Sequence, residues 1–264
     1  MNLKLVGKTA LITGSTAGIG LAIAESLVGE GATVVLNGRT RERVEGAVQM
    51  VKSGVENARV SGVVADLATP EGAQKVIEGI PEVDILVNNV GAYNLKPFDD
   101  ISDDEWLELF NLNVMSGVRL SRHYLPKMRA KNWGRIVFIS SESGVNIPVE
   151  MVHYGMTKSA QLAISRGMAE TTAGTNVTVN SVLPGPTASE ALSRFLEDSA
   201  AGQKLSKEEL EKQFFETARP SSLLKRFSDT KEIGDFVAFV CSPLASSING
   251  AALRVDGGVV KSMI

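Results

Sequence analysis

Short apolar runs alternate with longer amphipathic segments along most of the chain. The apolar runs are rich in valine and isoleucine and contain few polar positions, which is typical of parallel strands buried on both faces. This pattern predicts strands at residues 8–13, 32–37, 59–65, 84–89, 134–140, 177–183 and 251–257.

The segments between these strands carry apolar residues at helical spacing. They predict helices at residues 19–29, 41–52, 70–78, 103–130, 152–172 and 231–241. Because strands and helices alternate, the chain should form βαβ units with right-handed crossovers. We therefore predict one α/β domain over residues 1–264, a Rossmann-like doubly wound parallel sheet of seven strands with helices on both faces.

The alternation stops between residues 187 and 227, where no strand is predicted. Residues 188–200 and 206–218 have the pattern of short amphipathic helices, and Ser206 with Glu209 forms a capping box at the start of the second. Long insertions in compact domains are usually functional or disordered. The apolar positions here include Leu205, Leu210, Phe214, Leu223 and Leu224. They favour an ordered helical lid over the substrate site at about residues 187–227, and a solvated surface decoration is the alternative.

Composition narrows the classes of function. The 264 residues carry a formal net charge of −3, which argues against nucleic acid as a partner because phosphate binding requires a basic surface. One cysteine, Cys241, cannot form an internal disulfide, and the two histidines are too few for a zinc cluster, so no metal site is predicted. No apolar run has the length of a membrane span and no signal peptide is visible, so we expect a soluble cytoplasmic protein without a membrane partner.

A glycine-rich turn follows the first predicted strand and opens the first predicted helix. Its sequence is TGSTAGIG, residues 13–20. Gly14, Gly18 and Gly20 allow a tight turn and the close approach of a ligand. The free N–H groups and the dipole of the following helix favour a diphosphate, so the turn predicts a dinucleotide-binding site.

Tyr154 and Lys158 stand four residues apart in a predicted helix and therefore lie on one face. A tyrosine with a pKa of about 10 is a poor base at neutral pH. A nearby ammonium should lower the pKa of Tyr154, which suits it to acid–base chemistry on a carbonyl or an alcohol. Ser141 leaves a buried strand upstream and can hold the reacting oxygen by a hydrogen bond.

These motifs together resemble those of the short-chain dehydrogenase/reductase family, from residue 8 to residue 258. The glycine turn has that family's Gly-x-x-x-Gly-x-Gly spacing, and Val90 stands where the family's Asn-Asn-Ala-Gly motif has alanine. The other matching stretches are ADL (65–67), NNVG (88–91), NLNVMSG (111–117), ISSESG (139–144), YGMTK (154–158), LPGPTAS (183–189) and RVDGG (254–258).

The resemblance implies a role for each catalytic residue. Tyr154 exchanges a proton with the substrate oxygen, and Ser141, rather than Ser140, orients the carbonyl. Lys158 lowers the pKa of Tyr154 and binds the nicotinamide ribose, and Asn113 holds a water that links Lys158 to solvent. The implied cofactor-binding residues are Gly14, Ser15, Thr16, Gly18, Ile19, Gly20, Asn37, Arg39, Thr40, Asp66, Leu67, Asn89, Gly91, Tyr154, Lys158, Pro184, Gly185, Thr187 and Ser189.

The end of the second predicted strand bears on the choice of cofactor. Members of the family that use NAD usually carry an acidic residue here, which binds the ribose hydroxyls and repels the extra phosphate of NADP. This chain has Gly38, which leaves room, and then Arg39, whose planar cation can bind that phosphate. Thr40 and Asn37 can add hydrogen bonds, whereas the family's other basic position is Ala17. We expect NADP(H), with some use of NAD(H).

The residues around the motifs predict a mixed, mildly apolar substrate pocket without a cluster of arginines. Its predicted lining is Tyr93, Leu95, Ser143, Val145, Asn146, Met151, His153 and the stretch beyond Pro186. We therefore expect hydride transfer between NADP(H) and a small neutral ketone or secondary alcohol.

Two alternatives remain open. A 3-oxoacyl-(acyl-carrier-protein) reductase often has basic residues where this chain has Asn132 and Thr175, although Lys127, Arg129 and Lys131 are nearby. A dinucleotide-binding regulator without catalysis is the lesser alternative.

The predicted helices at 103–130 and 152–172 are apolar around much of their circumference. Family members usually pair these helices, so the resemblance implies a homotetramer, with a dimer second. A core helix that is covered on all sides is the other explanation.

Overall fold

The computed structural model describes residues 2–189 and 206–263. Its strands are β1 (Thr9–Ile12), β2 (Thr33–Gly38), β3 (Val60–Val64), β4 (Ile85–Asn88), β5 (Gly134–Ile139), β6 (Val177–Pro184), β7 (Thr187–Ala188), β8 (Ser228–Asp229) and β9 (Ala252–Val255). Seven of them form one sheet in the order β3-β2-β1-β4-β5-β6-β9, and every neighbouring pair is parallel. The predicted doubly wound sheet is thus confirmed.

Helices cover both faces of this sheet. They are α1 (Gly18–Gly29), α2 (Arg41–Gly54), α3 (Pro70–Gly79), α4 (Asp103–Phe110), α5 (Ser116–Ala130), α6 (Val152–Glu170), α7 (Lys207–Thr217) and α8 (Thr230–Val240). Buried residues of α1, α2 and α8 cluster with Ile12 on one face, and those of α3, α5 and α6 cluster with Leu11 on the other. Successive strand residues point to opposite faces, which is why two apolar layers are buried. Within the described residues, no helix is both long enough and apolar enough to cross a membrane.

The helix predicted at 103–130 has these bounds in the structure, but its α-helical geometry is interrupted. A π-helical segment, Asn111–Met115, lies between α4 and α5. It contains Asn113, which is buried. Short π-helical segments occur frequently at functional sites, where the wider turn redirects side chains.

The second predicted helix of the lid segment, residues 187–227, is α7. Its capping box is confirmed, since Ser206 Oγ accepts from Glu209 N at 3.2 Å and Glu209 Oε2 accepts from Ser206 N at 2.8 Å. The expectation of no strand in this segment is wrong at Thr187–Ala188, where β7 pairs in parallel with β8. The other predicted helix, at 188–200, falls outside the described residues from position 190 onward, as does Leu205.

Candidate active site

The glycine-rich turn connects β1 to α1 at the carboxyl edge of the sheet. Gly14 and Gly18 have φ values of +59° and +57°, a region that side-chain-bearing residues rarely adopt. A Cβ atom at Gly20 would lie 2.5 Å from Asn89 Nδ2. The absence of side chains at these positions therefore lets the backbone turn and lets neighbouring groups approach it closely.

The amino end of α1 has the donor set that a diphosphate requires. Its N-cap residue is Ala17, which has no side-chain acceptor for the first N–H groups, whereas Thr40 caps α2 and Thr69 caps α3. First-turn N–H groups lack partners within a helix, and together with the helix dipole they attract anions. The residues of this turn consequently fit a dinucleotide phosphate.

Several predicted cofactor residues support the turn with their side chains. Asn89 Nδ2 donates to the carbonyl oxygens of Thr13 and Gly14, both at 2.9 Å. The hydroxyl of Ser15 is buried and donates to Ile12 O at 2.7 Å. These contacts fix the backbone that would face the phosphates.

The side chain of Asn37 is turned into the protein. Its Oδ1 accepts from Gly14 N at 3.3 Å, and its Nδ2 donates to Val63 O at 3.3 Å and Ala65 O at 3.2 Å. The expectation that this side chain adds a hydrogen bond to a cofactor phosphate is wrong, because its donors and acceptor are already used. It holds the glycine turn against β3 instead.

The end of β2 also corrects one expectation. A Cβ atom at Gly38 would lie 2.5 Å from Thr16 Cγ2 and 2.9 Å from Val44 Cγ2. Gly38 therefore does not leave an open space, and a carboxylate there would displace Thr16. The side chain of Arg39 is exposed, and Thr40 caps α2 through its hydroxyl.

The remaining predicted cofactor residues lie along the same edge. Asp66 is exposed and its Oδ1 accepts from Ala68 N at 3.1 Å, while Leu67 is buried. A Cβ atom at Gly91 would lie 3.6 Å from Lys158 Nζ, so this glycine borders the ammonium of Lys158. Five of the predicted cofactor residues line a cavity that also borders Ser141 and Tyr154: Ile19, Pro184, Gly185, Thr187 and Ser189.

Ser141, Tyr154 and Lys158 meet at the carboxyl end of β5. Ser141 directly precedes a 3₁₀ turn, Glu142–Gly144, and its Oγ accepts from Ser143 N at 3.1 Å. Tyr154 and Lys158 lie one turn apart on α6, as predicted. Ser140, the rejected alternative to Ser141, uses its hydroxyl to donate to Lys158 O at 2.9 Å.

The expectation that Lys158 lowers the pKa of Tyr154 is wrong for the protein alone. Burial raises the pKa of Tyr154, the hydrogen bond with Ser141 opposes this rise, and the charge of Glu142 adds to it. Burial also lowers the pKa of Lys158 to about 7. Lys158 Nζ lies 5.5 Å from the centre of the Tyr154 ring and donates to Ile139 O at 2.8 Å. A neutral phenol is thus the resting state.

Hydrogen bonds fix both the side chain and the backbone carbonyl group of Asn113. Its Oδ1 accepts from Ala92 N at 2.8 Å, and its Nδ2 donates to Ala92 O at 2.9 Å and Thr157 Oγ1 at 3.0 Å. Its carbonyl oxygen accepts from Gln161 Nε2 at 2.6 Å, and Gln161 Oε1 accepts from Lys158 Nζ at 3.4 Å. The buried amide of Gln161 therefore links Asn113 directly to Lys158, a connection that the sequence did not indicate.

A cavity of about 200 Å³ opens beside Ser141 and Tyr154. Of the predicted pocket residues, Tyr93, Leu95, Ser143 and Met151 line it. The prediction is wrong for Val145, Asn146 and His153, since the first two are exposed on the surface and His153 is fully buried. Phe214, Ala218 and Arg219 also line it, and they belong to the predicted lid segment, although Ala218 and Arg219 were not named individually. Glu142 and Glu150 are lining residues that the sequence did not indicate.

An ion cluster that is buried at Arg219 and Glu142 and partly exposed at Glu150 lines this cavity. Arg219 Nε donates to Glu142 Oε1 at 2.9 Å, and Arg219 Nη1 lies 3.4 Å from Glu150 Oε1. Burial raises the pKa of Glu142, and the charge of Arg219 opposes that rise. The contact joins the end of α7 to the turn that follows Ser141.

The chain after Arg219 is attached to the end of β9. The carbonyl oxygen of Gly257 accepts from Leu223 N at 2.9 Å and Leu224 N at 3.0 Å. Ser221 Oγ donates to Val259 O at 2.7 Å. These hydrogen bonds hold the segment that carries Arg219 against the main sheet.

Comparisons with known proteins agree with this arrangement. A model of the short chain dehydrogenase family matches residues 8–200. The chain is 48% identical over 263 residues to the uncharacterized oxidoreductase YvaG of Bacillus subtilis, and both are covered completely. It is 36% identical to the 3-oxoacyl-[acyl-carrier-protein] reductase FabG of Aquifex aeolicus, with 98% of this chain and 100% of that protein covered.

Solved structures lead to the same family. The L-sorbose reductase of Gluconobacter frateurii, complexed with NADPH and L-sorbose, superposes with a TM-score of 0.92 at 32% identity, and both chains are covered completely. The chain, with its glycine-rich turn, its Ser141–Tyr154–Lys158 group and its parallel sheet, therefore belongs to the short chain dehydrogenase family of oxidoreductases.

Proposed function

We propose that the protein interconverts a small ketone and its secondary alcohol with a nicotinamide dinucleotide, NADP(H) in preference to NAD(H). The observation that supports this most is the convergence of Ser141 and Tyr154 on one cavity. The same cavity is also lined by residues 184–187, by Ser189 and by Ile19 of the glycine-rich turn. Substrate and nicotinamide would therefore meet at Tyr154.

The dinucleotide, when bound, supplies the hydride or accepts it. We assign its diphosphate to the turn at Gly14–Gly20 and the amino end of α1, its adenine to the region of Asp66, and its nicotinamide side to Pro184, Gly185, Thr187 and Ser189. Lys158 would contact the ribose near the nicotinamide, because its ammonium lies beside Gly91.

The protein's own residues handle the proton. In the direction of reduction, the neutral phenol of Tyr154 gives its proton to the carbonyl oxygen as negative charge develops there. Ser141 donates a hydrogen bond to the same oxygen and fixes its position. Lys158, Gln161 and Asn113 form the chain of polar groups behind Tyr154. The raised pKa of Tyr154 suits the role of proton donor.

Replacing Tyr154 with phenylalanine tests this assignment. We expect Tyr154→Phe to lower kcat/KM by about 10²–10⁴-fold, the contribution usual for a positioned acid–base group. Dinucleotide binding, measured by titration calorimetry, should persist. The matched control is Tyr124→Phe, which removes a buried hydroxyl that donates to Ile80 O outside the cavity. Full activity in the Tyr154 variant would contradict the proposal.

The preference for NADP(H) is proposed from Arg39, which is exposed beside the end of β2 and is followed by the helix cap Thr40. Two similar structures contain this cofactor. One is the L-sorbose reductase with NADPH, and the other is a Beutenbergia cavernae protein described as an NAD(P)-dependent gluconate 5-dehydrogenase, with NADP bound at low occupancy, at 30% identity and a TM-score of 0.86. An arginine contact to a phosphate supports specificity through charge and planar geometry.

We expect Arg39→Ala to reduce the ratio of catalytic efficiencies, NADP(H) over NAD(H), by about 10–100-fold, since hydrogen bonds to charged groups contribute about 1.5–3 kcal/mol. Steady-state rates with both cofactors measure it. Arg41→Ala is the matched control, because Arg41 is also exposed but lies in α2 beside Glu45. A wild type that favours NAD(H), or an Arg39 variant with an unchanged ratio, would refute the assignment.

Acyl-carrier-protein reduction is the second candidate function, favoured by the similarity to FabG. The basic residues near the predicted carrier surface have partners within the chain. Lys131 pairs with Glu82, Lys127 donates to Pro81 O and Arg129 donates to Thr171 O. This supports a free small-molecule substrate, and rates with carrier-linked and free ketones distinguish the two candidates.

We also propose that the protein acts in the cytoplasm as a homotetramer, with a dimer as the second choice, and that residues 187–227 form a lid. Support for the lid comes from Phe214 in α7 and Arg219 just after it, which both line the cavity.

A further inference from the structure

His153 has no part in the reaction assigned above, although it is fully buried and directly precedes Tyr154 on α6. Its Nε2 lies 2.5 Å from Asn94 Oδ1. Burial lowers the pKa of His153, so its ring is neutral near pH 7 and carries one N–H group. Because Asn94 Oδ1 can only accept a hydrogen bond, this N–H group is on Nε2 and donates to Asn94.

The other ring nitrogen of His153, Nδ1, is buried and has no hydrogen-bond partner in the ranges 2–189 and 206–263. The ring itself packs edge-on against Trp106 of α4, with 5.8 Å between the ring centres. An apolar side chain could make this packing contact without burying an unpaired nitrogen, which costs free energy. Within the described residues, the hydrogen bond to Asn94 is therefore the one contact that requires a histidine here.

Asn94 lies in the middle of residues 92–96, which we call the rim segment. The contacts at the two ends of this segment are hydrogen bonds of Ala92 N to Asn113 Oδ1 at 2.8 Å and of Lys96 N to Glu150 O at 3.0 Å. Between these ends, the side chain of Asn94 forms the one hydrogen bond that the described residues provide. The contact with His153 consequently decides how closely the middle of the rim segment lies against α6.

The rim segment places Tyr93 beside the residue that exchanges the proton. The ring centre of Tyr93 lies 5.7 Å from that of Tyr154, in an edge-to-face arrangement. Tyr93 and Leu95 both line the cavity that Tyr154 borders. A shift of the rim segment would therefore change the width of the cavity next to Tyr154.

We propose that His153 is a positioning residue: its hydrogen bond to Asn94 holds the rim segment in place, and the side chains of that segment keep the cavity narrow beside Tyr154. The inference rests on the proposed function and identifies what limits the size of its substrate. The hydrogen bonds at both ends of the rim segment remain when the contact with His153 is lost. The segment would then move outward without unfolding, and bulky ketones should gain more than small ones.

Two methyl ketones of different bulk, butan-2-one and 1-cyclohexylethanone, test this proposal. In His153→Met, we expect the ratio of kcat/KM, butan-2-one over 1-cyclohexylethanone, to fall by about 3–10-fold, the effect of one neutral hydrogen bond. His153→Gln should restore most of the ratio of the wild type, because its amide NH₂ can replace the N–H group of Nε2.

Asn94→Ala removes the same hydrogen bond from its exposed side, without a change in the buried core. It should lower the ratio by a similar factor. The double variant His153→Met, Asn94→Ala should show no further fall, because both changes remove one shared interaction.

The matched control is His123→Met, which replaces the other histidine of the chain. His123 Nε2 lies 3.0 Å from Pro81 O, outside this cavity, so the ratio should stay at that of the wild type. An unchanged ratio in His153→Met and Asn94→Ala, or additive falls in the double variant, overturns the inference and leaves the proposed function standing. Turnover of neither ketone by the wild type, and of neither corresponding alcohol in the reverse direction, overturns the proposed function and this inference with it.

Discussion

Lys158 shows how burial of a single residue makes protein stability depend on pH. Its pKa is about 7 in the folded protein, against an ordinary value of about 10.4 in an unfolded chain. Between these two values the unfolded state binds the extra proton. The free energy of unfolding therefore decreases, through this residue, as the pH falls from about 10 toward 7. Below that range the contribution of Lys158 no longer changes with pH.

We expect Lys158→Met to become more stable relative to the wild type as the pH is lowered from about 9.5 to 7, because methionine cannot be protonated. Denaturant unfolding of both proteins, without cofactor, at several pH values gives the difference in free energy of unfolding. Lys52→Met, in the last turn of α2, is the control, and its difference from the wild type should not change with pH. If the difference in free energy of unfolding between Lys158→Met and the wild type did not change with pH, the lowered pKa of Lys158 would be contradicted.

The sequence predicted those site residues that belong to local motifs. Tyr154 and Lys158 share one helical turn, and Ser141 follows a recognisable buried strand. Glu142 and Arg219 are 77 positions apart, and their contact depends on how α7 packs over the cavity. No periodic pattern encodes such a pair, so the polar wall of the pocket was missed. The inward direction of Asn37 depends likewise on the carbonyl groups of β3.

At the scale of elements, runs rich in apolar residues were sufficient to predict the seven strands, because the inner parallel strands are buried on both faces. The edge strands β3 and β9 are partly exposed. The π-helical segment at Asn111–Met115 could not be predicted in the same way. Its geometry accompanies contacts of Asn113 with Ala92 and Gln161, which come from other parts of the fold. The two-residue strands β7 and β8 are too short to have a pattern of their own.

Helix α1 supplies a prediction with an internal control. In Gly20→Ala the new methyl group would lie 2.5 Å from Asn89 Nδ2 and 2.6 Å from Gly14 O, so the turn must shift. We expect at least a tenfold loss of dinucleotide affinity, measured by calorimetry, because about 1.4 kcal/mol of lost contacts has that effect.

Gly29→Ala, at the other end of α1, provides the matched control. A Cβ atom there meets no neighbour among the residues that the structure describes. Alanine should stabilise the helix by about 0.5–1 kcal/mol and leave dinucleotide affinity unchanged. Equal affinities in the wild type and both variants would show that close packing at Gly20 does not shape the binding turn.

At the scale of the whole molecule, the exposed apolar surface bears on assembly. Leu107 on α4 is 60% exposed, and it lies on the helices predicted to pair with a second copy. Light scattering at micromolar concentration should give four times the chain mass of 28.1 kDa. We expect Leu107→Asp to yield a smaller species. Met50→Asp, on α2 with 50% of its side chain exposed, should not. A monomeric wild type would rule out the tetramer.

The hydrogen bonds between residues 221–224 and 257–259 have a practical consequence for work with this protein. Gly257 O and Val259 O anchor the strip of chain that carries Arg219. A purification tag or fusion partner attached shortly after residue 260 would therefore lie next to the hydrogen bonds that position Arg219 at the cavity. Specificity constants measured on such a fusion would mix the effect of the appendage with that of the enzyme, so kinetic work is better served by a tag at the amino end.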